Sequence, residues 1–291
     1  MLDFAVYSIT IIAVWSILAL SLNIQFGMTG LVNFGQILPF ALGAYAAGIA
    51  ASLGYPWWIG ALAGLIAAPL IALLVIMPAQ RLAQDYWALI TLGAAEIFRL
   101  TVLNTPALTG GADGLIVPRI IDPVLAMTVA VAVLIVTFLL AQRISSSPYG
   151  RMLRVVREDE ILASTLGRSP IRYQASVSVI AWMMAAAAGV TYAHITGYVA
   201  PSSFTVTETF IIWTAVILGG PGRNIGVIFG AAIIQLLGVS SRFIAQWIDL
   251  PPDLIANLRL ASFGLVLVLM FLYRPQGLIP EAKQVHDAER D

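Results

Sequence analysis

Several polar side chains lie within or beside long apolar stretches of this chain, and they are its first candidates for chemistry. The first group offers four carboxamides interleaved with glycines and a threonine: Asn23, Gln25, Gly27, Thr29, Gly30, Asn33 and Gln36. Irregular backbone in a membrane is tolerated where it faces protein or a water-filled path, and broken helices of this kind frame binding sites in transporters. The group therefore predicts part of a substrate pathway. The alternative is a tight turn whose glycines allow close helix packing.

A second candidate is the pair Glu96 and Arg99, three residues apart in one apolar stretch. On a helix this spacing puts both side chains on one face, where they can pair. An unpaired arginine at the bilayer centre costs about 2.5–3.5 kcal/mol on insertion scales, and a neighbouring carboxylate offsets part of that cost. The pair is either a structural ion pair or a substrate ligand on the pathway. A proton relay is disfavoured because no chain of carboxylates continues it.

Other chemistries are excluded by the residue types that the sequence lacks. The chain contains no cysteine, and its two histidines, His194 and His286, are far apart, so a metal cluster is not expected. A phosphate-binding loop for ATP needs a lysine after upstream glycines, whereas the only lysine, Lys283, precedes Gln284 without them. Basic and acidic residues balance at 15 each, which leaves no basic footprint for nucleic acid. We expect no catalytic residue, no metal and no cofactor bound by this chain.

The composition indicates that these side chains lie in a membrane. Of 291 residues, 60% are hydrophobic and 10% are charged, against about 25% charged in a soluble domain. Apolar runs long enough to cross a bilayer as helices are Phe4–Leu22, Ile37–Leu53, Trp57–Met77, Trp87–Leu103, Pro123–Ala141, Ala175–Ile195 and Leu258–Tyr273. The prediction is an all-α polytopic bundle of about 8–9 membrane-spanning helices with broken or re-entrant segments. It forms one domain over residues 1–291.

The number and direction of the spans follow from one interruption and from the arginines. Residues 219–224 interrupt the apolar stretch Thr209–Val239. Six of the 15 basic residues lie in the loop 142–174, which the positive-inside rule assigns to the cytoplasm. Counting spans from that loop puts the N-terminus outside, and it puts the tail 274–291 in the cytoplasm only if the interrupted stretch crosses twice. We therefore favour two crossings, with the Gly219–Arg223 break as a counterpart of the break near Gly27.

The centre of the loop 142–174 predicts a short amphipathic helix. Ser147 and Pro148 are typical of a helix start, and Gly167 is typical of a stop. Apolar residues recur at helical spacing on one side, and three arginines line another: Arg151, Arg154 and Arg157. A peripheral protein could bind such a helix. Alternatively, the arginines only fix the topology and contact lipid headgroups.

The same loop resembles the coupling loop of ABC-transporter permeases, specifically the M-type (LivM-like) subunit of the branched-chain amino acid permease family. The matching residues are Gly150, Arg151, Arg154, Arg157, Glu158, Asp159, Ala163 and Gly167, with Ser164 where the family has a second alanine. Further segments match in the same order: Asp85–Gly93 with Glu96 and Arg99, Leu108–Leu115, Tyr192–Gly197 with Pro201, Ser203 and Phe204, Leu218–Gly222 and Arg274–Leu278.

The resemblance implies one subunit of a larger machine in the bacterial inner membrane. It implies a second permease of the H-type, two ATP-binding subunits that use ATP and Mg²⁺, and a periplasmic substrate-binding protein. The loop would couple closure of the ATPases to the membrane, and the chain would itself be no enzyme. The implied cargo is a branched-chain or related hydrophobic amino acid. The alternatives are urea, short amides or other small neutral solutes carried by the same class of importer, or a stand-alone secondary transporter.

Overall fold

The computed structural model describes residues 2–79, 84–247, 252–274 and 276–281, and nearly all of them are helical. The helices are α1 Leu2–Leu22, α2 Ile37–Ser52, α3 Trp57–Ala79, α4 Gln84–Leu103, α5 Pro106–Thr109, α6 Pro123–Ser146, α7 Pro148–Glu158, α8 Glu160–Thr165, α9 Pro170–Thr196, α10 Val206–Gly219, α11 Asn224–Trp247 and α12 Pro252–Tyr273. A π-turn, Asn23–Gly27, continues α1. Two short strands, β1 Leu115–Ile116 and β2 Tyr198–Val199, pair antiparallel.

Six helical segments of the described ranges are long and apolar enough to cross a membrane. They are Phe4–Gly27, Trp57–Ile76, Tyr86–Leu103, Pro123–Ser146, Pro170–Thr196 and Pro201–Gly219. Three further apolar helices are shorter: Ile37–Ser52, Asn224–Ser240 and Asn257–Met270. The predicted all-α, multi-pass membrane bundle is therefore confirmed. Counting spans back from the loop 142–174 also puts Arg81 in the cytoplasm, and this residue lies outside the described residues.

The bundle has an inner and an outer layer of helices. The apolar spans of α1, α9 and α10 are each 61% buried, whereas those of α3 and α4 are 28% buried and that of α6 is 22% buried. Helix α2 is buried along almost its whole length between α9 and α3. A helix that is apolar on all sides is stable either inside a bundle or against lipid, so hydropathy alone did not separate the two layers.

Small residues let the inner helices approach closely. A Cβ at Gly189 in α9 would overlap the carbonyl oxygen of Phe40 in α2, and a Cβ at Gly43 in α2 would overlap that of Ala186. Helices in lipid gain little from the hydrophobic effect between them, so they rely on close backbone contact of this kind.

The interrupted apolar stretch forms two antiparallel helices, as the charge distribution favoured. Gly219 in α10 faces Gly226 in α11, and Gly230 faces Ala215. The chain reverses between Gly219 and Asn224, where Gly220 and Gly222 have positive φ angles of 107° and 87°. L-residues with side chains rarely adopt this backbone conformation, so glycines are needed at the reversal.

The predicted loop helix is divided into two, α7 and α8. The expected start is present, because the Ser147 hydroxyl caps α7 by accepting from the Gly150 N–H. The expected stop is also present at Gly167, with φ of 72°. Between them Asp159 adopts an extended conformation and its carboxylate accepts from the N–H groups of Ile161 and Leu162. Aspartate is a preferred helix cap, so a second helix begins after it.

Substituting Gly189→Ala is expected to lower the stability of the bundle by about 1–3 kcal/mol, the usual cost of forcing extra atoms into a packed core. The matched control is Gly93→Ala in α4, where an added Cβ meets no atom within 4 Å. Thermal unfolding of both variants in detergent measures the difference. Equal unfolding midpoints for the two would show that the α2–α9 approach is not as close as described.

Candidate functional site

Three of the four predicted carboxamides, Gln25, Asn33 and Gln36, meet in one buried hydrogen-bond network, whereas Asn23 has other partners. Each of them is at most 1% exposed. Gln25 Nε2 donates to Gln36 Oε1 at 3.0 Å, and Asn33 Nδ2 donates to both of their side-chain oxygens at 3.0–3.1 Å. Gln36 Nε2 donates to Ser21 Oγ at 2.5 Å, and Thr29 Oγ1 donates to the Gln25 carbonyl at 2.6 Å. The amides thus satisfy one another inside the protein, which is how buried polar groups avoid a desolvation penalty.

The two predicted helix breaks contact each other directly. Asn23 Oδ1 in the π-turn accepts from the Gly222 N–H at 2.8 Å, and Asn23 Nδ2 donates to Asn224 Oδ1 at 3.0 Å. A Cβ at Gly27 would overlap the Gly222 backbone nitrogen. Asn224 Nδ2 in turn reaches Ser145 Oγ in α6 at 3.2 Å. The break near Gly27 and the break after Gly219 are therefore partners in space.

Arg157 connects the predicted coupling loop to these breaks. Its Nη1 donates to the Gly27 carbonyl, and its Nη2 donates to Glu281 Oε2 at 2.9 Å. Its aliphatic stem passes Gly30, where an added Cβ would lie 3.4 Å from Arg157 Cγ. Gly27 and Gly30, expected in the pathway, are thus in contact with a residue expected to couple to the ATPase.

The C-terminal segment completes this arrangement. Glu281 also pairs with Arg154, whose Nε lies 3.3 Å from Glu281 Oε1. The N–H groups of Leu278 and Ile279 donate to the carbonyls of Leu218 and Gly219 at the end of α10. The contact region formed by Gly27, Arg154, Arg157, Gly222 and Glu281 is called the junction below. It joins the first helix, the second-half break, the loop and the tail.

The remaining loop residues divide between structural and exposed positions. Arg151 and Glu158 are exposed, whereas Gly150 and Ala163 are buried. Arg154 does not face outward with Arg151, because its Nη2 donates to the Ser145 carbonyl at 2.6 Å. Burial raises the pKa of the Tyr149 phenol, whose oxygen lies 2.5 Å from Ser176 Oγ, so it stays a neutral anchor of α7 on α9. Apolar side chains on and after α8 are instead exposed: Ile161 at 76%, Leu162 at 50% and Leu166 at 61%.

Glu96 and Arg99 form the expected ion pair. Arg99 Nε donates to Glu96 Oε2 at 2.9 Å and Nη2 donates to Oε1 at 2.5 Å, in the parallel two-bond geometry that favours arginine. The side chains are 27% (Arg99) and 37% (Glu96) exposed. Arg99 borders a cavity of about 10 Å³ between α2, α4 and residues 201–204. Such a volume holds about one water molecule, so this particular cavity is too small for an amino acid.

Three residues in or beside the junction were not found from the sequence: Glu281 within it, and Asn224 and Ser145 next to it. Glu281 lies in a tail with several charges, and only its pairing with two arginines distinguishes it. Asn224 gave a weak signal as the polar residue that ends the interruption. Ser145 gave none, because a serine near the end of an apolar helix most often bonds its own backbone, as it also does here.

The segments that carry the family resemblance contact one another in pairs. Gly277 packs against Gly220, which joins the segments Arg274–Leu278 and Leu218–Gly222. At the opposite end of the bundle, Tyr198 donates its hydroxyl to the Asp113 carbonyl at 2.6 Å beside the β1–β2 pair.

These features define the class of the protein: a helical, multi-span membrane protein whose paired helix breaks and adjoining helical loop are typical of a transport permease. The model of the family described as the branched-chain amino acid transport system permease component matches residues 4–273. The chain belongs to this family, and the M-type resemblance seen in the sequence is confirmed by its relatives.

Among these relatives, the LivM permease protein of Salmonella typhimurium is 31% identical over 305 residues, covering 93% of this chain and 69% of the relative. The probable LivM protein of Methanocaldococcus jannaschii is 28% identical, covering 91% of this chain and 90% of the relative. The LivH permease protein of Salmonella typhimurium is 27% identical, covering 95% of each. These relatives are transport permeases and not enzymes.

The fold is shared with a solved structure. A chain of PsaBC from Streptococcus pneumoniae in complex with Fab superposes with a TM-score of 0.52 at 19% identity, covering 95% of this chain and 94% of that one. At this identity the likeness concerns the fold alone.

The contact between the breaks predicts the effect of Asn23→Ala. The substitution leaves the Gly222 N–H and the Asn224 carboxamide without their partner, and an unsatisfied buried polar group costs about 1–3 kcal/mol. We expect a lower unfolding midpoint in detergent. The control is Asn104→Ala, at an exposed asparagine whose side chain bonds only to its own helix. An Asn23→Ala protein as stable as the Asn104→Ala protein would contradict the bridge.

Proposed function

We propose that this chain is one permease subunit of an ATP-driven ABC importer and forms half of its membrane pathway. The observation that carries the proposal is the junction, where Arg157 of the coupling-like loop donates to the Gly27 carbonyl in a broken membrane helix. Two ATP-binding subunits would use ATP and Mg²⁺, and this chain would bind neither. The proposal treats residues 1–291 as one permease domain, with the N-terminus outside and the tail in the cytoplasm.

In this proposal the loop transmits force through the junction. Closure of the ATPases would displace α7 and α8, and Arg157 would pull on the Gly27 carbonyl while Glu281 holds Arg154 and Arg157 in register. The two breaks would then move together, because Asn23 links them. The carboxamides from Asn23 to Gln36 remain candidates for the pathway wall, and their mutual hydrogen bonds would have to open before they could bind a solute.

The docking surface for an ATPase would be the exposed apolar side chains of Ile161, Leu162 and Leu166. An apolar patch at a membrane protein's aqueous end is costly in water, and such patches mark protein interaction sites. Asp159, which caps α8, would fix the direction in which this patch points. Arg151 and Glu158, both exposed beside the patch, would set the electrostatics at its rim.

We propose branched-chain amino acids as the cargo, delivered by a periplasmic binding protein. The LivM and LivH relatives are named as branched-chain amino acid transport permeases, which supports this substrate class, and the presence of both kinds supports a partnership with a second, H-type permease. Urea, short amides or other small neutral solutes remain the alternative within the same class. Ligand affinity of the binding protein that serves this permease distinguishes them: tight leucine, isoleucine and valine binding is expected, and urea or amide binding would redirect the assignment.

Assembly tests the proposal most directly. The tagged chain, co-expressed with the other transporter genes of its organism, should retain a second permease and an ATPase through purification in mild detergent. Ile161→Asp should reduce the retained ATPase several-fold, since a charge would be buried in the apolar contact. Ile121→Asp, at a 92% exposed position away from α8, is the matched control. Purification without any ATPase or second permease would refute the importer.

Coupling gives an independent prediction. Arg157→Gln removes the charge that bridges Gly27 and Glu281, so reconstituted transporters should move less substrate per ATP hydrolysed while the chain still inserts and assembles. Arg172→Gln, at an exposed arginine of the same loop, should leave the ratio unchanged. If both variants show the wild-type ratio of uptake to hydrolysis, the junction does not transmit force.

A further inference from the structure

A groove of about 460 Å³ lies between α3, α6 and α9, at the end of the bundle opposite α7 and α8. Its walls include Leu65 of α3, Val133 of α6 and Ala187 of α9, and its mouth is formed by Trp57, Arg119 and His194. Along α3 the groove extends from Trp57 to Leu65, roughly 12 Å at the rise of an α-helix. The volume is within the range of small-molecule sites, about 300–1,000 Å³.

The lower part of the groove is suited to a hydrocarbon chain. The helices on either side of it belong to the outer layer and present apolar side chains outward, such as Ile66 at 58% and Val136 at 65% exposure. An apolar cavity beside lipid offers water no hydrogen-bond partners, so a hydrocarbon chain is its natural occupant. Small side chains at Ala61 and Ala187 leave the space that the chain would fill.

The mouth of the groove is suited to an anion. Arg119 Nε donates to the Ile195 carbonyl at 3.1 Å, and within the described residues no carboxylate pairs with this guanidinium. The nearby Asp122 accepts from the Val124 N–H as a helix cap. Arg119 is exposed, so its terminal amino groups remain free to contact a ligand in the part of the chain that the structure describes.

His194 adds a ring nitrogen, Nε2, that has no hydrogen-bond partner among the described residues. Its Nδ1 lies 3.0 Å from the Pro118 carbonyl, so the proton is on Nδ1 in the neutral ring and Nε2 is left as an acceptor. Nε2 is also buried. A hydroxyl group of a ligand at the mouth would satisfy it. Trp57, 67% exposed, lies beside it in the position of an interfacial aromatic residue.

We propose that this groove binds an anionic glycerophospholipid, with one acyl chain between α3 and α6, the phosphate at Arg119 and a headgroup hydroxyl at His194 Nε2. The apolar slot matches an acyl chain and the unpaired cation at its mouth matches a phosphate, and a lipid supplies both in one molecule. The site is separate from the junction, and it does not depend on the cargo or on the ATPase.

The test is a binding titration on the detergent-purified full chain, read as the unfolding midpoint against lipid concentration. Short-chain phosphatidylglycerol should bind about fivefold more tightly than phosphatidylcholine of the same chain length, the factor expected for one arginine near an anionic headgroup. Arg119→Gln should remove this preference and Arg119→Lys should largely keep it. Arg172→Gln, at an exposed arginine on the loop side, should leave it intact.

Two further variants separate the parts of the site. His194→Phe should weaken phosphatidylglycerol binding with little effect on phosphatidylcholine, and it serves if Arg119→Gln fails to fold. Ala187→Phe should weaken binding of both lipids by filling the slot. Equal affinity for the two lipids in the unaltered chain, or a full response to inorganic phosphate alone, would overturn the proposal. A third result would also overturn it: the Ala187→Phe protein binds both lipids as before but no longer co-purifies with a second permease. That result would assign the groove to a helix of the partner subunit.

Discussion

A hydrogen-bonding group in an apolar interior must find its partner within the protein, and the junction depends on this constraint. The π-turn Asn23–Gly27 and the reversal after Gly219 both leave backbone groups that lipid cannot satisfy. The two breaks satisfy each other's polar groups, since the Asn23 carboxamide oxygen accepts a hydrogen bond from the Gly222 N–H. Arg157 then satisfies the Gly27 carbonyl from outside the pair of breaks. Separating any of these segments would leave a buried polar group unpaired, so they are stable only together.

Glycines allow these segments to approach closely enough to form the hydrogen bonds between them. Gly27 lies against the Gly222 backbone, and Gly220 lies against Gly277, at distances that no Cβ would allow. The same device operates in the inner layer, where Gly43 and Gly189 bring α2 and α9 into backbone contact. Interiors packed this closely shift between discrete arrangements and do not deform smoothly. A displacement of α7 would therefore move α1 and α10 as well, with little of the movement lost to local deformation.

The sequence predicted those features that depend on local pattern. Apolar runs gave the spans, Ser147 and Gly167 gave the ends of the loop segment, and the spacing of Glu96 and Arg99 gave their pairing. It did not separate inner from outer helices, because burial against protein and exposure to lipid demand the same apolar side chains. It also did not predict the inward turn of Arg154 and Arg157, since their partners Glu281 and Gly27 are distant in sequence.

The composition of the basic residues follows from the same constraint. Fourteen of the fifteen are arginine, and three of those that the structure describes use the width of the guanidinium group. Arg157 donates to a backbone carbonyl and a carboxylate at once, Arg154 donates to a backbone carbonyl and forms an ion pair with a carboxylate, and Arg99 holds its glutamate through two parallel bonds. A lysine ammonium is a compact, strongly hydrated point charge, so it is poorly suited to contacts in which one side chain bonds two groups or both oxygens of a carboxylate. Where one charge must contact two groups at once, arginine is therefore the better suited residue.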